Sequence, residues 1–178
     1  MEDKILKLIP EFNLIKNEDL RRKTLRVYAK ALEKGGWQPE DMDKIPFTLL
    51  IKDCPASYLK HVRGVTRVAV GIAGGLKDIY GDLMPVDFDI LVSAALLHDV
   101  GKLVEYKRDA SGSTVKAPHG KMLRHPFSGV GLCYDEGIPD EVMHCIAMHS
   151  KEGDGGRITT EAIIINHADF ANFEPLHK

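Results

Sequence analysis

The run Ile90 to Leu97 is apolar nearly all the way round a helix, interrupted only by Ser93. A helix without a polar face must be buried on every side, so the chain has to supply further helices that surround it. Its 178 residues are enough for one compact domain with a single core. The run is also far shorter than the ~20 residues that span a bilayer. His98 and Asp99 follow it at once, in Leu-Leu-His-Asp-Val-Gly-Lys. An imidazole and a carboxylate in so apolar a setting are costly unless each finds a partner. A metal ion would serve both, because a helix end lets neighbours ~100° apart converge. A hydrogen-bonded pair that caps the helix would serve as well, and the dipeptide alone leaves both readings open.

Punctuation along the rest of the chain predicts helices almost throughout. Arg21 to Lys34 is a helix former stopped by Gly35-Gly36. Pro39 and Pro46 keep the next stretch irregular. Pro55 is placed to open a helix running to about Tyr80, with His61, Val65, Val68 and Ile72 on one face. Pro85 opens the apolar helix, which Gly101 ends. Further helices are expected over Pro126 to Glu136, Pro139 to about His149 and Thr159 to about Asn172. Between Leu103 and Pro118 two short extended runs flank Asp-Ala-Ser-Gly-Ser, the pattern of a β-hairpin with a four- or five-residue loop. The expected fold class is therefore all-α, a compact helical bundle with a small β-hairpin insert near residues 103–118. Residues 1–54 are read as an N-terminal helical extension packed on a core of 55–178.

Composition narrows the function classes. With 24 Lys+Arg against 26 Asp+Glu the formal charge is −2, which excludes a polybasic nucleic-acid coat or membrane anchor as a whole-chain role. At 44% hydrophobic and 28% charged the chain is no disordered segment. Cys54, Cys133 and Cys145 form no C-x-x-C pair, and the N-terminal residues carry no basic-then-apolar leader. A reduced, cytoplasmic setting is the expectation.

The eight histidines separate by face and neighbour. His61 falls on the apolar stripe of its helix. Asp169 follows Ala-Ile-Ile-Ile-Asn-His-Ala, with Ile165 and Phe173 four residues to either side on the same face. Two costly polar groups on two core helices, with the His-Asp pair on a third, are most economically explained by a shared metal. His125, before Pro126, and His149, at a helix end, can reach the same centre. Imidazole with carboxylate suits Fe, Mn or Zn better than Ca or Mg. His144 lies ~140° round the helix from His149 by the 3.6-residue repeat. His144, His167 and His177 are read as surface or supporting residues, and His119 as a candidate substrate contact.

Taken in order, His61, His98-Asp99, His125, His149 and Asp169 resemble the H…HD…H…H…D signature of the HD-domain superfamily of metal-dependent phosphohydrolases. LLHDVGK and the His125-Pro126 pair resemble its local wording, and the likeness covers roughly residues 55–175. The resemblance implies a helical HD-domain bundle and a dinuclear site. In it His61, His98 and Asp169 hold one divalent metal, His125 and His149 the other, and Asp99 bridges them. Fe or Mn is the expected pair, with Zn, Ni, Co and Mg as further candidates. Two such ions ~3.5–4 Å apart acidify a bridging water and hold a phosphoryl oxygen against it. Lys102 matches the lysine of the family's HDxGK and is expected to stabilise charge on the transferring group beside Asp99.

Charge supports an anionic substrate. From Lys102 to Arg124 six basic residues face two acids, inside a chain that is net negative. Lys102, Lys121, Arg124 and, further on, Arg157 are candidate phosphate contacts. Ser150 and Glu152, after His149, are candidate supports for the ligands. The expected partner is a small phosphorylated molecule, nucleotide-like or another metabolite, with no membrane and no nucleic acid; a homodimer is a further expectation. Two other functions share this signature or fold: a diiron oxygenase that cleaves C–C or C–P bonds with O2, and a nucleotide-sensing module without turnover.

Overall fold

The structure, a computed structural model, describes residues 1–177. Helix α1 (Glu2–Leu8) leads through a 3-10 turn (Pro10–Leu14) into α2 (Glu18–Gly35). Asn17 caps α2 by accepting from Leu20 N, and Gly36, at φ 71°, ends it in the left-handed conformation that glycine adopts freely. A 3-10 turn (Pro39–Asp43) and a loop pinned by the bridge Pro46↔Ser57 precede α3 (Tyr58–Tyr80). Then come α4 (Phe88–Leu97), the single turn α5 (Lys102–Glu105), strands β1 (Tyr106–Arg108) and β2 (Thr114–Lys116), and the short α6 (Pro118–Met122). Helices α7 (His125–Tyr134), α8 (Asp140–Met148) and α9 (Thr160–Phe173) complete the bundle. This is an all-α bundle with a small hairpin.

Helix α4 is the buried centre its sequence demands, packed against α2, α3, α8 and α9. Its one polar interruption is satisfied: Ser93 Oγ lies 2.8 Å from Thr24 Oγ1 of α2. Because the Thr24 hydroxyl donates to Leu20 O, the Ser93 hydroxyl is the donor to Thr24. Tyr28 O–H donates to Leu96 O at 2.6 Å and ties the same two helices further along. Ile5, Ile9, Phe12 and Ile15 from the N-terminal segment are fully buried in the same continuous core as α4.

Several boundaries differ from the sequence expectation. Pro55 and Pro85 lie ahead of their helices because side-chain caps set the starts. Ser57 accepts from Lys60 N, and Asp87 accepts from Asp89 N and Ile90 N. The hairpin occupies 106–116 rather than 103–118. Helical hydrogen bonds continue past Asp99, Lys102 N to Asp99 O and Glu105 N to Gly101 O, so α5 takes the first residues. Pro118 opens a helical turn, α6, where only loop was expected. No helix among the described residues is long and apolar enough to cross a membrane.

Candidate metal centre

The six expected ligands arrive from helix starts, helix ends and two core faces, and the fold brings them to one place. His61 sits in the first turns of α3 and Asp169 on the inner face of α9. His98 and His149 are the residues at which α4 and α8 end, and His125 opens α7. Asp99, 1% exposed, stands in the middle. Its Oδ2 lies 3.3 Å from His61 Nε2 and 3.5 Å from His98 Nε2. Its Oδ1 lies 3.2 Å from His125 Nε2 and 3.7 Å from His149 Nε2. Asp169 Oδ1 joins the first set, 3.1 Å from His61 Nε2 and 3.9 Å from His98 Nε2. Two half-sites thus share one carboxylate.

The hydrogen-bonding groups behind the rings fix which nitrogens face inward. His98 Nδ1–H donates to Ala95 O and His149 Nδ1–H to Ile146 O, each at 2.7 Å. A carbonyl can only accept, so in the neutral ring Nε2 keeps its lone pair. His125 Nδ1–H faces Glu105 Oε2 at 3.1 Å. Burial lowers the His125 pKa to about 4 against the pull of Glu105, so this ring is neutral at pH 7 and its Nε2 is also a lone pair. His125 and His149 then point lone pairs at each other across 3.3 Å, with Asp99 Oδ1 between them lacking any hydrogen-bond partner. Lone pairs converging on an orphaned buried oxygen are unfavourable without a cation, and this donor set fits a divalent one.

The first half-site is more anionic. Burial lowers the His61 pKa, but contacts with Asp169 and Asp99 outweigh it and the net shift is upward. Burial raises the Asp169 carboxyl, and His61 and His98 bring it down to about 2. Asp99 is held well below the usual carboxylate range against its burial, chiefly by Lys102 and His98. Lys102 Nζ donates to Asp99 Oδ2 at 2.6 Å. Burial would discharge this ammonium; Asp99 outweighs it, so the lysine stays a cation.

A cavity of about 360 Å³ opens over the centre. Asp99, Lys102, His125, His149 and Asp169 line it, with Arg124, Ser150, Lys116 and Lys151 supplying polar groups. Phe47, Tyr106, Phe170, Phe173 and His177 add aromatic surface. Phe47 lies flat on His61, ring centroids 4.3 Å apart and planes at 20°, and His177 stacks on Phe173 at 4.9 Å.

Several expected substrate contacts lie elsewhere. Arg157 donates to Ser150 O and pairs with Asp154, so it fastens the loop after α8 instead of lining the cavity. His119 Nε2 is taken up by Ser128 Oγ at 2.9 Å, and the exposed Lys121 also lies outside the cavity. The short helix α6 carries both of them away from it. Arg124 does line the cavity, paired with Glu152 at 3.0 Å. His177, read as surface or support, is a lining residue. The sequence reading missed the aromatic lining and Glu105, which looked like one of two acids in a basic stretch.

The HD-domain family model matches residues 58–170, the span from the first turn of α3 to the residue after Asp169. This chain belongs to the HD-domain family. Among curated proteins, the chain is 28% identical to dihydroneopterin 2',3'-cyclic phosphate phosphodiesterase of Methanocaldococcus jannaschii, over 96% of the chain and 68% of that protein. It is 34% identical to ribonuclease Y of Desulforamulus reducens, over 47% of the chain but only 14% of that protein. No solved structure matches the chain.

Proposed function

We propose that this HD domain is a metal-dependent phosphodiesterase that hydrolyses a small phosphorylated metabolite, with a cyclic phosphate diester on a ring-bearing molecule as the favoured substrate. The observation that carries the reading is the pair of half-sites sharing Asp99 on the floor of a cavity with cationic and aromatic lining. The likeness to a cyclic phosphate phosphodiesterase over nearly the whole chain supports the same chemistry.

His61, His98 and Asp169 would hold one divalent cation, His125 and His149 the second, and Asp99 would contribute one oxygen to each. Bound cations of this kind supply Lewis acidity toward a phosphoryl oxygen and acidify water. The chain's own residues do the rest. Lys116, Arg124 and Lys151 draw the anion in. Lys102 keeps its proton beside Asp99 and presents positive charge where phosphoryl charge builds up. Phe170, Phe173 and His177 offer flat surface against which a ring can stack.

The test is a metal-depleted preparation reloaded with Mn, anaerobic Fe(II) or Zn and offered a panel of 2',3'-cyclic phosphates. Product is expected as a phosphomonoester, and only after reloading. A folded, metal-loaded protein that opened no cyclic phosphate in the panel would sink the proposal. O2 uptake with turnover would favour the oxygenase instead.

A further inference from the structure

The half-sites are unequally supplied with charge. The first takes a carboxylate oxygen from each of Asp99 and Asp169, whereas the second has two imidazoles and the single oxygen Asp99 Oδ1. Behind His125 lies Glu105, only 3% exposed at the end of α5. One oxygen, Oε2, accepts both from His125 N at 2.7 Å and from its Nδ1–H at 3.1 Å, so one carboxylate fixes the residue's main chain and its ring together. The other, Oε1, pairs with Lys116 Nζ at 3.2 Å. Gly120 lets this arrangement close up: a Cβ there would meet Glu105 O at 2.4 Å and its Cγ at 2.6 Å. No such carboxylate stands behind His98 or His149, whose Nδ1 groups use main-chain carbonyls.

From this asymmetry we infer that Glu105 is the positioning residue of the second half-site, aiming His125 and raising the donor strength of its Nε2, so that it governs the affinity of the second cation and not of the first. The inference rests on the two-cation reading above. A carboxylate behind a ligating histidine fixes its tautomer and makes the opposite nitrogen a better donor. Here it also supplies, one ring removed, the negative charge that Asp169 gives the first half-site directly.

The experiment is calorimetric titration of metal-depleted protein with Mn2+, with bound metal counted after dialysis, for wild type, Glu105→Gln and Glu105→Ala. Glu105→Gln keeps an acceptor for His125 but removes the charge; Glu105→Ala removes both. The second ion is expected to weaken about 10-fold in the first variant and about 100-fold in the second, the range of such outer partners, with the first ion unchanged. Circular dichroism checks folding, and if Glu105→Ala does not fold, Glu105→Gln alone decides. Equal weakening of both ions, or none, overturns the inference while a two-ion wild type keeps the dinuclear reading intact. A wild type that binds one ion overturns both.

Discussion

Asp99 is the residue on which both half-sites depend, because each of its oxygens faces a different pair of imidazoles. Asp99→Asn leaves one oxygen and puts an N–H2 group toward the other lone pairs. On the proposed two-ion reading, elemental analysis after dialysis should find both ions lost, and phosphodiester turnover should fall by more than the ~100-fold that outer partners reach. Retention of either ion at wild-type affinity would contradict the bridging role. The cysteines offer an independent check on the core. Burial raises the Cys133 and Cys145 thiols to about 12, so at pH 8 almost none is thiolate, while Cys54 is only half-buried. A thiol reagent at pH 8 should therefore label one cysteine in the native protein and three after denaturation. The six candidate ligands were legible in the sequence because each is a local anomaly, a costly polar group on an apolar face or at a helix end. Glu105 was not. Its meaning depends on His125, twenty residues away, and on a hairpin register that places Lys116 beside it.

Helix ends supply His98, Asp99, His125 and His149, and close approach between elements sets their geometry. Gly101 follows Asp99 where α4 gives way to α5, and a Cβ there would lie 2.0 Å from His125 O and 2.8 Å from Gly129 N. Adding a methyl group must push α7 away from α4 and so separate Asp99 from His125. Gly101→Ala should destabilise by ~1–3 kcal/mol or more, as overpacking does, and weaken the second ion. Gly75 on α3 is the contrast, since a Cβ there meets nothing within 4 Å. Gly75→Ala should leave the centre alone and stabilise by about 0.5–1 kcal/mol, the helix-interior difference between the two residues. Urea unfolding of the pair measures both signs, and a Gly101→Ala protein as stable as wild type would refute the close-approach argument. The same reasoning explains which boundaries were legible. Gly36 required the left-handed cap that the Gly35-Gly36 pattern announced. The starts of α3 and α4 lie beyond Pro55 and Pro85 because the hydroxyl of Ser57 and the carboxylate of Asp87, not the prolines, cap them.

At the scale of the molecule, a nearly neutral chain has gathered opposite chemistries around one cavity. The acids and imidazoles lie on its floor, while Lys116, Arg124 and Lys151 bring positive charge from the hairpin, the start of α7 and the loop after α8. In the proposed function those cations would attract any phosphate ester and so choose a charge, not a molecule. On the proposed reading discrimination falls to the aromatic lining, where Phe173 is held edge-on to Phe47 at 6.1 Å and face-on to His177. Phe173 lies on α9 one turn beyond Asp169, so the proposed ring recognition and the first half-site would be borne by the same helix. Phe173→Ala should therefore raise KM for a ring-bearing cyclic phosphate and lower kcat/KM roughly 10-fold, within the ~1–3 kcal/mol of stacking one base on an aromatic side chain. A substrate whose only ring is the cyclic phosphate itself, such as glycerol cyclic phosphate, should be hydrolysed equally by both proteins, since it carries no flat ring for Phe173 to stack on. Steady-state kinetics on the two substrates distinguishes the outcomes. Equal losses on both would mean that Phe173 acts by holding α9 and Asp169 in place, and that ring recognition lies elsewhere in the cavity.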